Sequence, residues 1–157
     1  MNVHRPLEKL EIHYEEIEHQ AIYSVEDATR EKIPDRIDGL ECKNLFVKSK
    51  NHYYLIFMIA KKSANLKAIA NEIGDTRLTF CTEEELNSIL NLTVGCVSPL
   101  GLINDKSHLV TLLIDKELEN KVVLMHPNIN TKTIAVNLND FLSLIENMNH
   151  SYCFITV

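Results

Sequence analysis

The chain reads as one α/β domain over residues 1–157, a mixed, curved β-sheet with helices around it. Three features point that way. Residues 40–48 and 52–61 are runs rich in β-branched, aliphatic and aromatic side chains, joined by the polar Ser49-Lys50-Asn51, as in a hairpin. Leu66, Ile69, Ala70 and Ile73 recur at i, i+3, i+4 and i+7, the spacing of one helical face. Strand-like and helical segments follow one another without the strict alternation of a doubly wound sheet, and no linker rich in Pro, Gly or Ser divides them.

In chain order, residues 6–10 predict a short helix and 14–19 a short strand with Ile17 inward. Ser24 with Asp27 three positions later resembles a capping box, which predicts a helix over 26–32 that Pro34 stops. The hairpin follows. The 66–73 helix ends at Gly74, where a left-handed residue is favoured. Thr82-x-x-Glu85 is a second capping box, opening a helix that carries Leu86, Ile89 and Leu90. Residues 109–114, 122–125 and 133–136 predict three strands. A last amphipathic helix spans 137–147, with Phe141, Leu142, Leu144 and Ile145 apolar, before a final strand over 152–157.

Composition narrows the function classes. At 45% hydrophobic and 24% charged, the chain has the make-up of a globular protein. Its longest apolar run, residues 53–60, is too short to span a bilayer, so no membrane partner is expected. The start, Met1-Asn2-Val3-His4-Arg5-Pro6, lacks the charged-then-apolar order of a secretory signal, which predicts a cytoplasmic location. Cys42, Cys81, Cys96 and Cys153 include no Cys-x-x-Cys pair, and the histidines form no His-Glu-x-x-His, so neither disulfides nor a metal are expected. Glycine-rich nucleotide loops are absent. A net charge of -6 argues against extended contact with a duplex such as DNA, although Lys43, Lys48, Lys50, Lys61, Lys62 and Lys67 make the middle of the chain more basic. No apolar stripe marks a dimer face, which predicts a monomer.

Three local irregularities could carry chemistry. Lys43 interrupts a strand and shares a face with Leu45 and Val47. It is either an edge lysine that blunts aggregation or a cation facing a ligand. Gly95-Cys96-Val97-Ser98-Pro99-Leu100-Gly101 follows a helix end. Gly95 permits positive φ and Pro99 biases Ser98 towards an extended shape, so the loop is either a rigid turn or a nest of N–H groups for an anion or oxyanion. His126 closes the apolar run 122–125 ahead of Pro127 and is either structural or an acid, base or hydrogen-bonding group. Cys96 with His126 also permits a nucleophile–base pair.

Taken together and in order, Lys43-Asn44-Leu45-Phe46, Gly95-x-x-x-Pro99 with Leu100-Gly101-Leu102, and His126-Pro127-Asn128-x-Asn130-Thr131 resemble the YbaK/ProX family of aminoacyl-tRNA editing domains. Free-standing prolyl-tRNA editing proteins resemble it most, from the segment 14–19 to the Phe141-Leu142 helix. The resemblance implies hydrolysis of mischarged tRNA, above all alanyl-tRNA for proline. A synthetic site sized for proline cannot strongly exclude a smaller residue, so a second, smaller site removes it.

The resemblance also implies roles. Lys43 would hold the acceptor end, supported by Asn44, and the Gly95 loop with Cys96, Val97, Ser98 and Pro99 would cradle the ester and stabilise its oxyanion. His126, with Asn128 beside it, would orient the aminoacyl group. Lys43, Gly95 and His126 are then the expected catalytic positions; Asn44, Cys96, Val97, Ser98, Pro99 and Asn128 are the expected substrate-binding ones. The terminal ribose hydroxyl assists the attacking water, so no protein nucleophile and no cofactor are needed. Partners are aminoacylated tRNA, gripped at its CCA end, and prolyl-tRNA synthetase as a second candidate. The alternative is a non-catalytic module of the same fold that binds the acceptor end or a synthetase.

Overall fold

The computed structural model describes residues 3–157; Met1 and Asn2, part of the segment read above for a signal sequence, lie outside the described residues. The helices are α1 (His4–Lys9), α2 (Val25–Arg30), α3 (Ile33–Arg36), α4 (Leu66–Ile73), α5 (Glu83–Leu90) and α6 (Leu138–Asn147). The strands are β1 (Tyr14–Glu18), β2 (Cys42–Lys48), β3 (Tyr53–Ile59), β4 (Thr79–Phe80), β5 (Val110–Asp115), β6 (Val122–Met125), β7 (Lys132–Asn137) and β8 (Tyr152–Ile155). A 3-10 turn over Pro99–Asn104 links the Gly95 loop to β5.

The strands divide into two sheets. One is antiparallel in the order β1-β7-β6; the other has the order β4-β2-β3-β5-β8. The mixed character expected from the sequence lies in the second, where β2–β3 is an antiparallel hairpin while β3–β5 and β5–β8 are parallel. Leu40 stitches the sheets together: its N–H donates to the Val122 carbonyl and its carbonyl accepts from Leu124 N–H.

Alternation along the strands sends side chains into three apolar layers. Phe46, Leu55, Phe57, Leu112 and Ile114 meet Val123, Met125, Ile134 and Val136 of the first sheet, with Leu90 of α5 and Phe141 of α6, in the central core. On the outer face of the five-stranded sheet, Val47, Ile56, Met58 and Leu113 pack under Ile69 and Ala70 of α4. On the far face of the three-stranded sheet, Leu124, Ala135 and Ile17 meet Ile22, Ile33 and Ile37, around α2 and α3. Each fully buried aliphatic or aromatic side chain contributes roughly 1.5–3 kcal/mol.

Caps fall where the sequence predicts them. Ser24 accepts from Asp27 N–H, Thr82 and Glu85 make a full capping box, and Gly74 is left-handed at φ 71°. Pro34 does not stop α2, however. The helix is already broken at Lys32, which is left-handed at φ 54°, and Pro34 sits in the first turn of α3. Proline has no N–H to offer, and a first turn requires none. α3, the 3-10 turns over Pro99–Asn104 and Lys116–Leu118, and the two-residue β4, paired with Val47 and Lys48, are elements the periodicity does not disclose.

Candidate active site

A cleft of about 280 Å³ opens where the start of β2 faces the end of β6, roofed by residues 22–28. Three irregular segments meet there. β2 brings Lys43 and Asn44, the loop after α5 brings Gly95 and Val97, and β6 ends in His126. β4 pairs only with the far end of β2, at Val47 and Lys48, so the Lys43 end is open on that side. Among the described residues, Lys43 has no carboxylate within ion-pair distance.

The loop geometry rests on glycine. Gly95 has φ +89°, and a Cβ there would lie 2.8 Å from Tyr23 Cδ1, so a side chain would be strained and Tyr23 would have to shift to admit it. Cys96 N–H donates to the Thr93 carbonyl, and Leu100 N–H to Ser98 Oγ. Among the described residues this leaves the amides of Gly95 and Val97, both cleft residues, without an intramolecular acceptor.

His126 and Asn44 are held by one polar atom each. A carbonyl only accepts, so the 3.0 Å contact from His126 Nδ1 to the Lys132 carbonyl places the proton on Nδ1 and a lone pair on Nε2. Burial pushes the His126 pKa below its ordinary 6.5, with the neighbouring His19 ring adding to the effect, so the ring is neutral at pH 7. Asn44 Nδ2 donates to the Val97 carbonyl at 3.3 Å, tying strand to loop, while its Oδ1 is buried with no donor.

Of the nine residues singled out from the sequence, Lys43, Asn44, Gly95, Val97 and His126 line the cleft. The other four do not. Ser98 is fully buried and caps the 3-10 turn that Pro99 begins. Asn128 is left-handed at φ 63° and donates from Nδ2 to the Leu100 carbonyl, bracing the turn against the loop after β6. Cys96 is half-buried and does not line the cleft beside His126, so the nucleophile–base pair does not assemble there. Cys42 does reach the cleft, but burial raises its thiol pKa to about 12, which keeps it protonated.

Several lining residues escaped sequence reasoning. Ile22, Ala28, Ile33 and Leu124 make an apolar wall, Tyr23 and Glu41 stand beside it, and Thr133 supplies a hydroxyl. Thr133 had a signal: it faces the same way as Ala135, and the two interrupt the bulky residues of β7 on one side only.

The aminoacyl-tRNA editing domain family matches residues 19–144. The chain is 33% identical over 143 residues to the prolyl-tRNA editing protein ProX of Acetoanaerobium sticklandii, covering 89% of this chain and 86% of that protein. Against prolyl-tRNA synthetase associated domain-containing protein 1 of Bos taurus, identity is 30% over 152 residues, covering 92% and 86%. A crystal structure described as a candidate trans-editing enzyme for prolyl tRNA synthetase shares the fold, with a TM-score of 0.73 at 16% identity over 99% of this chain and 95% of that one. No helix among the described residues is long and apolar enough to cross a membrane. A cleft assembled from the Lys43, Gly95 and His126 segments, together with a family match over most of the sequence, identifies the chain as a member of the aminoacyl-tRNA editing domain family and an aminoacyl-tRNA deacylase.

Proposed function

We propose that this protein edits in trans by hydrolysing alanyl-tRNA for proline, gripping the CCA end and leaving prolyl-tRNA intact. The observation that carries the reading is the character of the cleft: small, apolar on one wall, with an unpaired lysine and free amides opposite. The alanine methyl group would rest against Ile22, Ala28, Ile33 and Leu124, where the larger proline ring meets the wall.

Lys43 offers its ammonium to a phosphate or to the terminal adenosine. The amides of Gly95 and Val97 are the donors for the oxyanion that forms when water adds to the ester carbonyl. The ribose hydroxyl beside the ester takes part in delivering that water, and the buried Asn44 Oδ1 is an acceptor for it. Collapse breaks the bond from carbonyl carbon to ribose oxygen, which takes up a proton as alanine leaves. No side-chain nucleophile is required, in keeping with the protonated Cys42 and with Cys96 off the cleft lining. Ser98, Pro99 and Asn128 serve by holding the loop. The contact with tRNA is confined to single-stranded nucleotides, which suits a chain of net charge -6.

The test uses alanyl- and prolyl-tRNA, both built on tRNA for proline, with purified protein. Rapid loss of alanine with proline spared is expected. Hydrolysis of neither by folded protein overturns the proposal and leaves a module that binds without catalysis.

A further inference from the structure

Thr133 is 4% exposed, lines the cleft, and belongs to a hydrogen-bond chain whose directions are forced. His19 Nδ1 lies 2.8 Å from the Gln20 carbonyl, which only accepts, so that nitrogen carries the proton. In the neutral ring His19 Nε2 is then a lone pair, and the Thr133 hydroxyl, 2.7 Å away, donates to it. With its proton spent, Thr133 Oγ has only acceptor capacity left. Register explains the meeting: Ile17 pairs with Thr133, so His19, two residues on, falls on the same face of the sheet. His126, two residues beyond the inward Leu124, falls on that face as well, its ring centroid 6.2 Å from that of His19.

His126 Nε2 is an acceptor by the same reasoning. Besides Asn44 Oδ1, the cleft thus holds two acceptor atoms, from adjacent strands, that can take further donors. The ester of an aminoacyl-tRNA is acceptor-only, and the side chain of alanine has no polar atom. Within the aminoacyl moiety, the one donor group is the α-ammonium, with three N–H bonds and a positive charge.

We infer that Thr133 Oγ and His126 Nε2 form the subsite for the α-ammonium of the esterified amino acid, with His19 as a positioning residue that fixes the Thr133 hydroxyl as an acceptor. The inference rests on the editing reading for the identity of the ligand. It gives the enzyme a reason to ignore acyl groups that carry no free amine, and it orients the carbonyl towards the Gly95 and Val97 amides. Glu41, the carboxylate on the same wall, is the rival partner for the ammonium.

The experiment is a calorimetric titration of the whole protein with two stable amides, 3′-deoxy-3′-(alanylamino)adenosine and its propionylamino counterpart, which lacks only the amine. The parent protein should bind the first about tenfold more tightly, the strength of a hydrogen bond to a charged group. Thr133→Val, nearly the same shape, should reduce that ratio to about two, Thr133→Ser should restore it, and Glu41→Gln should leave it in place. Equal affinity or no binding of either amide by the parent, an unchanged ratio in folded Thr133→Val, or collapse of the ratio in Glu41→Gln alone overturns the subsite. Alanyl-tRNA hydrolysis, followed in parallel, separates the two ideas. A parent that hydrolyses while Thr133→Val keeps its ratio sinks only the subsite; a parent that binds with the expected ratio but never hydrolyses sinks only the editing reading.

Discussion

Two groups of buried polar residues in this molecule use the same chemistry to opposite ends. Asp105, beyond the 3-10 turn, accepts from Leu109 N–H and Val110 N–H at 3.0 and 2.9 Å and meets His150 Nε2 at 3.3 Å. The His108 ring stands edge-on against His150 at 4.6 Å, and its Nε2 meets the Met148 carbonyl. Both oxygens of Asp105 are occupied, His150 Nδ1 alone is left buried without a partner among the described residues, and the knot ties the start of β5 to the segment that leads into β8. On the cleft wall, His126 and Asn44 also spend one atom each on a backbone carbonyl, but their remaining atoms meet no partner from the chain. Burial of a histidine therefore does not mark a site. Nor does an unpartnered buried atom by itself, since His150 Nδ1 and Asn128 Oδ1 lie away from the cleft; what marks the site is that Asn44 and His126 leave theirs on a concave wall.

That contrast can be broken from either side. The largest effect is expected at Lys43. Because it has no ion pair to lose, Lys43→Ala should cut deacylation by roughly a hundredfold, the order expected on losing one hydrogen bond to a charged group such as a phosphate, while the thermal midpoint stays put. A parallel fall in melting temperature would make it a structural lysine. Next comes the knot. Asp105→Asn leaves buried donors unanswered and should cost about 1–3 kcal/mol in urea unfolding, with the rate per folded molecule unchanged. Lost activity without lost stability would dissolve the distinction between the two groups.

Gly95→Ala should slow deacylation about tenfold and cost roughly 1–2 kcal/mol, since a Cβ at φ +89° is strained and pushes Tyr23 away. Comparing the rate with that of Tyr23→Ala in the same background separates strain from crowding. The smallest effect is pH dependence. The folded pKa of His126 lies below the ordinary 6.5, so below that pH the unfolded chain takes up a proton that the folded chain resists. Its contribution to stability is complete above pH 6.5 and is lost as pH falls through the depressed folded value. Activity should follow, with an acid limb below 6.5 that disappears in His126→Gln; a limb above 6.5 would reverse the assigned direction.

Much of the fold was legible because it is written locally. The capping boxes at Ser24 and Thr82, the 3.6-residue period of 66–73 and the glycine stop at 74 each act within one or two turns of chain, and each appears as expected. Pro34 was misread because the left-handed Lys32 that ends α2 carries no distinctive residue type. β4 was missed because two residues have no period. In the cleft, Lys43, Gly95 and His126 stood out as departures from their surroundings. Thr133 and His19 did not: a threonine in a strand and a histidine at a strand end are unremarkable until register sets one beside the other, 114 positions apart in sequence.

By itself, then, the amino-acid sequence determined the elements, their caps and three irregular segments, all consequences of interactions between near neighbours along the chain. Only the tertiary structure decided which atoms face the cleft. It kept Ser98 and Asn128 off the cleft lining and put Thr133 on it, and it chose the tautomers of His19 and His126 through carbonyls that can only accept. Hydrogen-bond direction is a property of pairs brought together by sheet register and loop packing, and no residue carries it alone.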